Sequence, residues 1–305
     1  MGRRKLIALA AAVAALTASV GAGHAVASYP PGLFPNWPAL LPPDRQDSAG
    51  KLLLSLDFCQ DGGMKCPRDT IDEMIRRWRP LDRACDHDAV FALTYLRTTQ
   101  TYYKTVRRDP AFFSDLAWIN HEDAVFGKLY FQAYDRYHAG QPVPAAWRIA
   151  FDAARSPNLT GIGDLLLGMN AHIDRDLPYA LADVGLVKAD GSSRKADHDK
   201  VNLFLDRVID PLQKELARRY DAMFAYTDAE PSPLDEIGAL HTVRALRENA
   251  WRNAERLVNA KTPAARQLVR QSIEREAAIG ARAIVAANTV PGYGAIRDAH
   301  CRARF

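Results

Sequence analysis

Apolar residues recur every three or four positions along most of the chain, which is the period of an amphipathic α-helix. This pattern begins near residue 68, and no later stretch shows the strict alternation of a half-buried strand. The pattern predicts helices over residues 69–79, 87–106, 121–139, 143–154, 161–183, 197–226, 233–260 and 263–288. Proline and glycine punctuate the breaks, as at Asp109-Pro110 and Pro291-Gly292.

The loops between these helices are short, and no long linker divides the chain. The expected fold class is therefore all-α, a single multi-helix bundle domain over residues 68–305. Residues 28–67 contain Pro30-Pro31 and Pro42-Pro43 and few periodic apolar positions, which predicts an N-terminal proline-rich arm.

The first 27 residues have the pattern of a secretory signal peptide. Arg3-Arg4-Lys5 precedes an apolar run, and Ala25-Val26-Ala27 supplies small residues for a cleavage site. Cleavage near Ala27 would give a secreted protein whose mature chain has no transmembrane anchor. A retained membrane helix is the alternative, but the apolar run is short for a bilayer span and a cleavage signal follows it.

Charge argues against a nucleic-acid partner. The formal net charge is +4, but three of the positive residues lie within the signal peptide, which holds no acid, so the mature chain would carry about +1. A small-molecule or lipid-like ligand is the more reasonable partner, since tyrosines recur at helical spacing and could line a pocket. These tyrosines are Tyr95, Tyr102, Tyr130, Tyr134 and Tyr137.

The four cysteines, all in the mature part, predict two disulfides in an exported chain. Cys59 and Cys66 bracket a turn-like loop, so their pairing is favoured, which leaves Cys85 with Cys301. The other two pairings stay open from the sequence. A zinc site built from cysteines is the alternative, but no Cys-x-x-Cys spacing is present.

The most informative stretch runs from Leu165 to Pro178, where an apolar helix acquires polar residues. His172 and Asp176 fall on one stripe of that helix, while Asn170 and Asp174 lie nearly opposite. A histidine and a carboxylate one turn apart among leucine and methionine predict a buried polar pair. The candidate catalytic residues are His172, Asp176, Asp174 and Asn170.

A short internal repeat contains two further candidate acids. Asp88-Ala-Val-Phe91-x-x-x-Tyr95 recurs as Asp123-Ala-Val-Phe126-x-x-x-Tyr130, with the acid in the first turn or near a histidine in each copy. Two related helices could direct these acids at one pocket. The simpler interpretation is that the acids favour helix N-termini and the aromatic residues are core.

The run Gly168-Met-Asn-Ala-His-Ile-Asp-Arg-Asp-Leu177 resembles an uncharacterised family of mainly actinobacterial, all-helical proteins. Ala146-Trp147-Arg148 before it and Asn249-Ala-Trp251 after it share the resemblance, which covers roughly residues 68–288. The resemblance implies a single helical domain with this run as its signature, and no known activity.

A weaker resemblance is to zinc-dependent phospholipase C, whose all-helical enzymes carry His-x-x-x-Asp as paired metal ligands. The spacing is present as His172-x-x-x-Asp176, but Tyr179 stands where that family has a further histidine. It implies a divalent metal such as zinc as a candidate cofactor. The candidate metal ligands are His172, Asp176, Asp123, Asp88 and His241, with His121 as a further histidine nearby.

Two functional hypotheses follow. The first is an exported helical enzyme, a hydrolase of esters or phosphoesters, that uses the buried His172–Asp176 pair with or without a metal. The second is a secreted, non-catalytic binding or interaction protein in which the same pair only stabilises the packing.

Overall fold

The computed structural model describes residues 59–226 and 234–305, together with Leu41 and Gly50. Over residues 234–241 and at Asp206 only the backbone is described. The predicted signal peptide and nearly all of residues 28–58 of the predicted arm lie outside the described residues.

The described chain is helical throughout, and its ten α-helices are separated by short loops. They are α1 (Lys65–Ala84), α2 (Asp88–Arg108), α3 (Leu116–His138), α4 (Ala145–Ala154), α5 (Gly161–Met169), α6 (Leu177–Val184), α7 (Lys195–Arg219), α8 (Leu234–Asn259), α9 (Pro263–Asn288) and α10 (Tyr293–Arg302). Pairing between extended residues is limited, in the described residues, to two isolated bridges, Leu159 with Thr289 and Val187 with Ser193. The all-α prediction is therefore confirmed.

Each predicted helix has a counterpart in the structure, but two of them are not continuous α-helices. The predicted helix over 161–183 is interrupted by a π-helical segment, Asn170–Asp176, which joins α5 to α6. The predicted helix over 197–226 stops at Arg219, and a 3₁₀ turn over Ala222–Tyr226 follows it. The periodicity did not predict α10, because this short helix buries only Gly294, Arg297 and Cys301 and has no apolar stripe.

The helix α6 lies at the centre of the fold. All of its residues except Asp183 are buried, and it packs most extensively against α8. Such all-round burial is typical of a core helix rather than of an amphipathic surface helix. The π-helical segment is therefore continuous with a core helix, and its polar side chains Asn170, His172 and Asp176 are buried.

Close approach between α2 and α5 depends on a glycine. A Cβ atom placed on Gly168 would overlap the ring of Phe91. Only glycine lets the two backbones approach so closely without displacing that ring. The contact holds Phe91 against the start of the π-helical segment.

Two disulfides, Cys59–Cys66 and Cys85–Cys301, join the cysteines in the predicted pairs. The first closes a loop before α1. The second ties the end of α1 to α10, so the C-terminal helix is attached to the start of the bundle. Among the described helices, none combines the length and apolar character needed to cross a membrane.

Candidate functional site

A cavity of about 350 Å³ lies in the middle of the bundle, bordered by α2, α3, α5, the π-helical segment, α7 and α8. This volume falls within the range of small-molecule sites, roughly 300–1,000 Å³. Most of its wall is aliphatic or aromatic, with α5 and α7 contributing Leu165, Leu166, Met169, Phe204, Val208 and Leu212. Polar side chains enter from α2, α3, the π-helical segment, α7 and α8.

His172 is held in this wall by aromatic rings. Its imidazole is only 3% exposed, stacks on Phe126 at 3.5 Å between ring centroids, and lies 4.3 Å from the ring of Tyr95. Burial lowers the pKa of His172 although Asp176 opposes that shift, so the imidazole is expected to be neutral. The described chain offers no hydrogen-bond partner to its Nε2 atom.

Asp176 lies behind His172 and is fully buried. Its Oδ2 atom lies 3.3 Å from Nδ1 of His172 and accepts a 2.8 Å hydrogen bond from the indole of Trp147. Its Oδ1 atom accepts a 2.8 Å bond from Arg175, whose Nε donates to Glu274 on α9. A proton on Nδ1 would satisfy this arrangement and leave the lone pair of Nε2 as a base or acceptor.

Consecutive acids on α3 line another part of the cavity wall. Burial raises the pKa of Glu122 to about 7, although Arg247 on α8 opposes this. Burial also raises the pKa of Asp123 well above its ordinary value, and the neighbouring charge of Glu122 raises it further. The Oδ2 atom of Asp123 and the hydroxyl of Tyr95 are buried, and neither has a hydrogen-bond partner within the described residues.

Arg247 is fixed by a buried histidine on α7. Its guanidinium donates to the carbonyl and to Nδ1 of His198, at 2.8 and 3.1 Å. The imidazole returns a hydrogen bond from Nε2 to the carbonyl of Arg247 at 3.2 Å. Burial, and then the Arg247 charge, hold the pKa of His198 well below its usual range, so this imidazole accepts at Nδ1 in the neutral form.

Asn170 and Asp174 do not line the cavity, in agreement with their predicted position on the opposite side of the helix. Asn170 donates a 2.8 Å hydrogen bond to the carbonyl of Ala277 on α9, and its side chain fits against Gly280, where a Cβ atom would overlap it. Asp174 bonds with Asn249 on α8, and burial raises its pKa to about 7. Both contacts attach the π-helical segment to its neighbours.

Asp88 lines a different and much smaller cavity, of about 20 Å³, together with His87 and Asp164. Its carboxylate lies 3.5 Å from His138, and burial raises its pKa. Phe91 borders both cavities and lies between them. The repeated aspartates therefore face different spaces.

The predicted metal ligands do not assemble into one group. Only His172 and Asp123 line the central cavity, with Asp176 behind the imidazole. His121 does not line it, and the side chain of His241 lies outside the described residues. In the part of the chain that the structure describes, no cluster of three or more histidine, cysteine, aspartate or glutamate side chains could hold a metal ion.

Two charged residues of the cavity wall, Glu122 and Arg247, were not predicted from the sequence. A signal for Glu122 was present, because Ile119 and Phe126 place it on the apolar stripe of α3. Arg247 had a weaker signal, since only Val243 precedes it on the cavity side of α8. Tyr95 and Tyr102, named as pocket candidates, do line the cavity.

Comparison with known proteins finds a match to the model of one family, over residues 68–287, whose function is unknown. The matched range agrees with the residues that carried the family resemblance in the sequence. No curated protein and no solved structure matches the chain.

Proposed function

This chain belongs to a family of proteins of unknown function (DUF5995), and for this member we propose that the central cavity binds a largely apolar small molecule with one polar group. The observation that supports the proposal is the combination of apolar walls with buried polar atoms that lack partners. Among the lining residues that the structure describes, those atoms include Nε2 of His172, the hydroxyls of Tyr95 and Thr99, Oδ2 of Asp123 and Nε of Arg247.

Leaving such atoms unpaired is costly. A buried donor or acceptor without a partner loses its hydration and costs roughly 1–3 kcal/mol. Several such atoms in one cavity are difficult to explain by packing alone, because apolar side chains of similar shape would avoid this cost. A bound molecule that supplies one polar group would satisfy some of them, and its apolar part would fill the remaining space.

Binding of the neutral, apolar dye N-phenyl-1-naphthylamine tests this proposal. We expect a saturable rise in dye fluorescence with the wild-type protein and its loss in Val208→Trp, whose indole would fill the cavity. Leu268→Trp is the matched control, because Leu268 is 68% exposed on α9. Circular dichroism would verify the helix content of both variants. No saturable binding by the wild type, or equal binding by both variants, would overturn the proposal.

Ester hydrolysis in the same cavity is the second candidate, and the free Nε2 of His172 favours it. That nitrogen would take a proton from water, the hydroxide would attack the ester carbonyl, and the proton would pass to the leaving alkoxide as its C–O bond breaks. Asp176 would fix the imidazole in the required tautomer, and the hydroxyl of Tyr95 could donate to the developing oxyanion.

Hydrolysis of p-nitrophenyl esters of increasing acyl length tests this candidate. We expect activity in the wild type, at least a hundredfold loss in His172→Gln, and little change in the partly exposed His138→Gln control. An inactive wild type, or equal activity in His172→Gln, would reject hydrolysis and leave dye binding unaffected. The metal-dependent form stays a prediction, and elemental analysis of the purified protein checks it.

Export is a further part of the proposal. The two disulfides are compatible with an oxidising compartment. N-terminal sequencing of protein recovered from culture medium should begin at Ser28. Retention of the uncleaved chain in the cell would contradict export.

A further inference from the structure

The charged side chains that line the central cavity do not balance. Glu122 and Asp123 contribute two carboxylates from α3, and Arg247 contributes one guanidinium from α8. His172 does not supply the missing positive charge, because its burial favours the neutral imidazole. Among the described residues, the cavity wall is therefore one positive charge short when both acids are ionised.

The two acids differ in their relation to Arg247. The positive charge of the guanidinium opposes the rise in the pKa of Glu122 and so favours its carboxylate form. Among the described residues, Glu122 is the only neighbouring charge that shifts the pKa of Asp123 appreciably. It has the same sign and raises that pKa further. Since Oδ2 of Asp123 is also buried without a hydrogen bond, this carboxyl group must either keep its proton or receive a cation from outside the chain.

The surroundings of Asp123 suit an ammonium group. Tyr95 lies near both groups: among the neighbouring charges, Asp123 raises the pKa of its hydroxyl most, and its ring lies 4.3 Å from the imidazole of His172. Three acceptors are thus available for the three N–H donors of a primary ammonium. The aromatic faces of Tyr95, Tyr102 and Phe126 in the same wall would add cation–π attraction.

We propose that the cavity selects an amphiphilic amine, whose ammonium group binds between Asp123, Tyr95 and His172 while its apolar chain lies between α5 and α7. This inference rests on the proposed ligand binding and specifies the class of ligand. An amphiphilic carboxylate fits less well, because it would meet two acids, and Arg247 already donates to His198. A neutral alcohol would fill the space but would leave Asp123 uncompensated.

Displacement of the bound neutral dye by decylamine, decanol and decanoate at neutral pH tests this selectivity, since the three probes share one chain length. We expect decylamine to displace the dye at a concentration about tenfold or more below that of decanol, with decanoate the weakest. Asp123→Asn should abolish the advantage of the amine and leave decanol almost unchanged. Asp72→Asn, at an exposed position on α1, should behave as the wild type.

A second variant covers the case in which Asp123→Asn fails to fold. Asp123→Glu keeps the carboxylate and should keep the preference for the amine, and the wild-type comparison requires no substitution. Equal displacement by decylamine and decanol would overturn the selectivity and leave the cavity as an apolar binding site. Failure of the dye itself to bind would overturn the proposed function, so the two failures are distinguishable.

Discussion

The imidazole of His172 lies flat against the ring of Phe126, with the two planes within 5° of parallel. The stacking fixes the ring orientation, so that Nδ1 faces Asp176 and Nε2 remains without a partner in the described structure. His172 can therefore serve both as a packing residue and as a ligand-binding residue. The side chain belongs to the core and still carries a nitrogen that is available for a ligand.

Replacing Trp147 with phenylalanine should weaken the support of Asp176. The substitution removes the 2.8 Å hydrogen bond to Oδ2 and leaves most of the ring in place. Hydrogen bonds to charged groups contribute about 1.5–3 kcal/mol, and we expect the free energy of unfolding in urea to fall by that amount.

Trp118→Phe is the matched control for that variant, since its indole donates a bond of the same length to the neutral carbonyl of Gly185. A loss of only about 1 kcal/mol is expected there. Equal losses in the two variants would show that the charge on Asp176 does not strengthen its bond.

Glu122 should make the protein less stable as the pH rises. Its pKa is raised from 4.5 to about 7 in the folded state, so the folded protein holds a proton that the unfolded chain has released. The contribution of Glu122 to the free energy of unfolding therefore decreases from about pH 4.5 to about pH 7 and is constant above that range. The contribution of this group is on the order of 3 kcal/mol.

Urea denaturation across this pH range checks the effect of Glu122. Glu122→Gln should be as stable as the wild type at the acidic end and more stable at the alkaline end. Some slope should remain in the variant, because burial also raises the pKa of Asp174 to about 7 and that of Asp123 well above its ordinary value. The exposed Asp72→Asn control should follow the wild type, and parallel curves for Glu122→Gln would contradict the prediction.

The two disulfides should differ in their effect on stability. Cys85–Cys301 spans 216 residues and Cys59–Cys66 spans seven. The chain-entropy relation gives about 5 kcal/mol for the long loop and about 2.5 kcal/mol for the short one. Paired Cys→Ser variants measured by urea denaturation should show this order, and a larger effect of the short loop would contradict it.

Gly168→Ala should destabilise the contact between α2 and α5, although alanine is the better helix former. The new methyl group would overlap the ring of Phe91, and overpacking of this kind costs about 1–3 kcal/mol. In a double-mutant cycle, Phe91→Leu should relieve part of that cost because its side chain is smaller. Additive losses in the cycle would argue that the methyl group is accommodated elsewhere.

The helical periodicity predicted most of the fold because nearly every helix has one apolar face. It did not predict the π-helical segment, since a period of about 3.6 residues describes both α5 and α6 and the polar run between them has no pattern of its own. Pro178 was the only local sign of irregular backbone at that point. Its missing N–H removes one hydrogen bond just where the segment ends.

The candidate site was predicted in part. His172 and Asp176 were identified because histidine and aspartate are unusual on an apolar stripe, and helix geometry brings residues four apart together. Asp88 could not be separated from Asp123, because their local sequences are nearly identical and only the packing of their helices places them in different cavities. Arg247 could not be predicted as a cavity residue, because its position there depends on how α8 packs against α7. That packing is a tertiary contact that local sequence patterns do not encode.

The bond between Cys85 and Cys301 closes nearly the whole helical bundle into a covalent ring. A protease that cuts one of the loops inside that ring would therefore release no fragment, and the nicked protein would migrate as a single species until a reductant separates its halves. A protein outside the cell that meets hydrolytic enzymes would gain tolerance to such cleavage from this one bond.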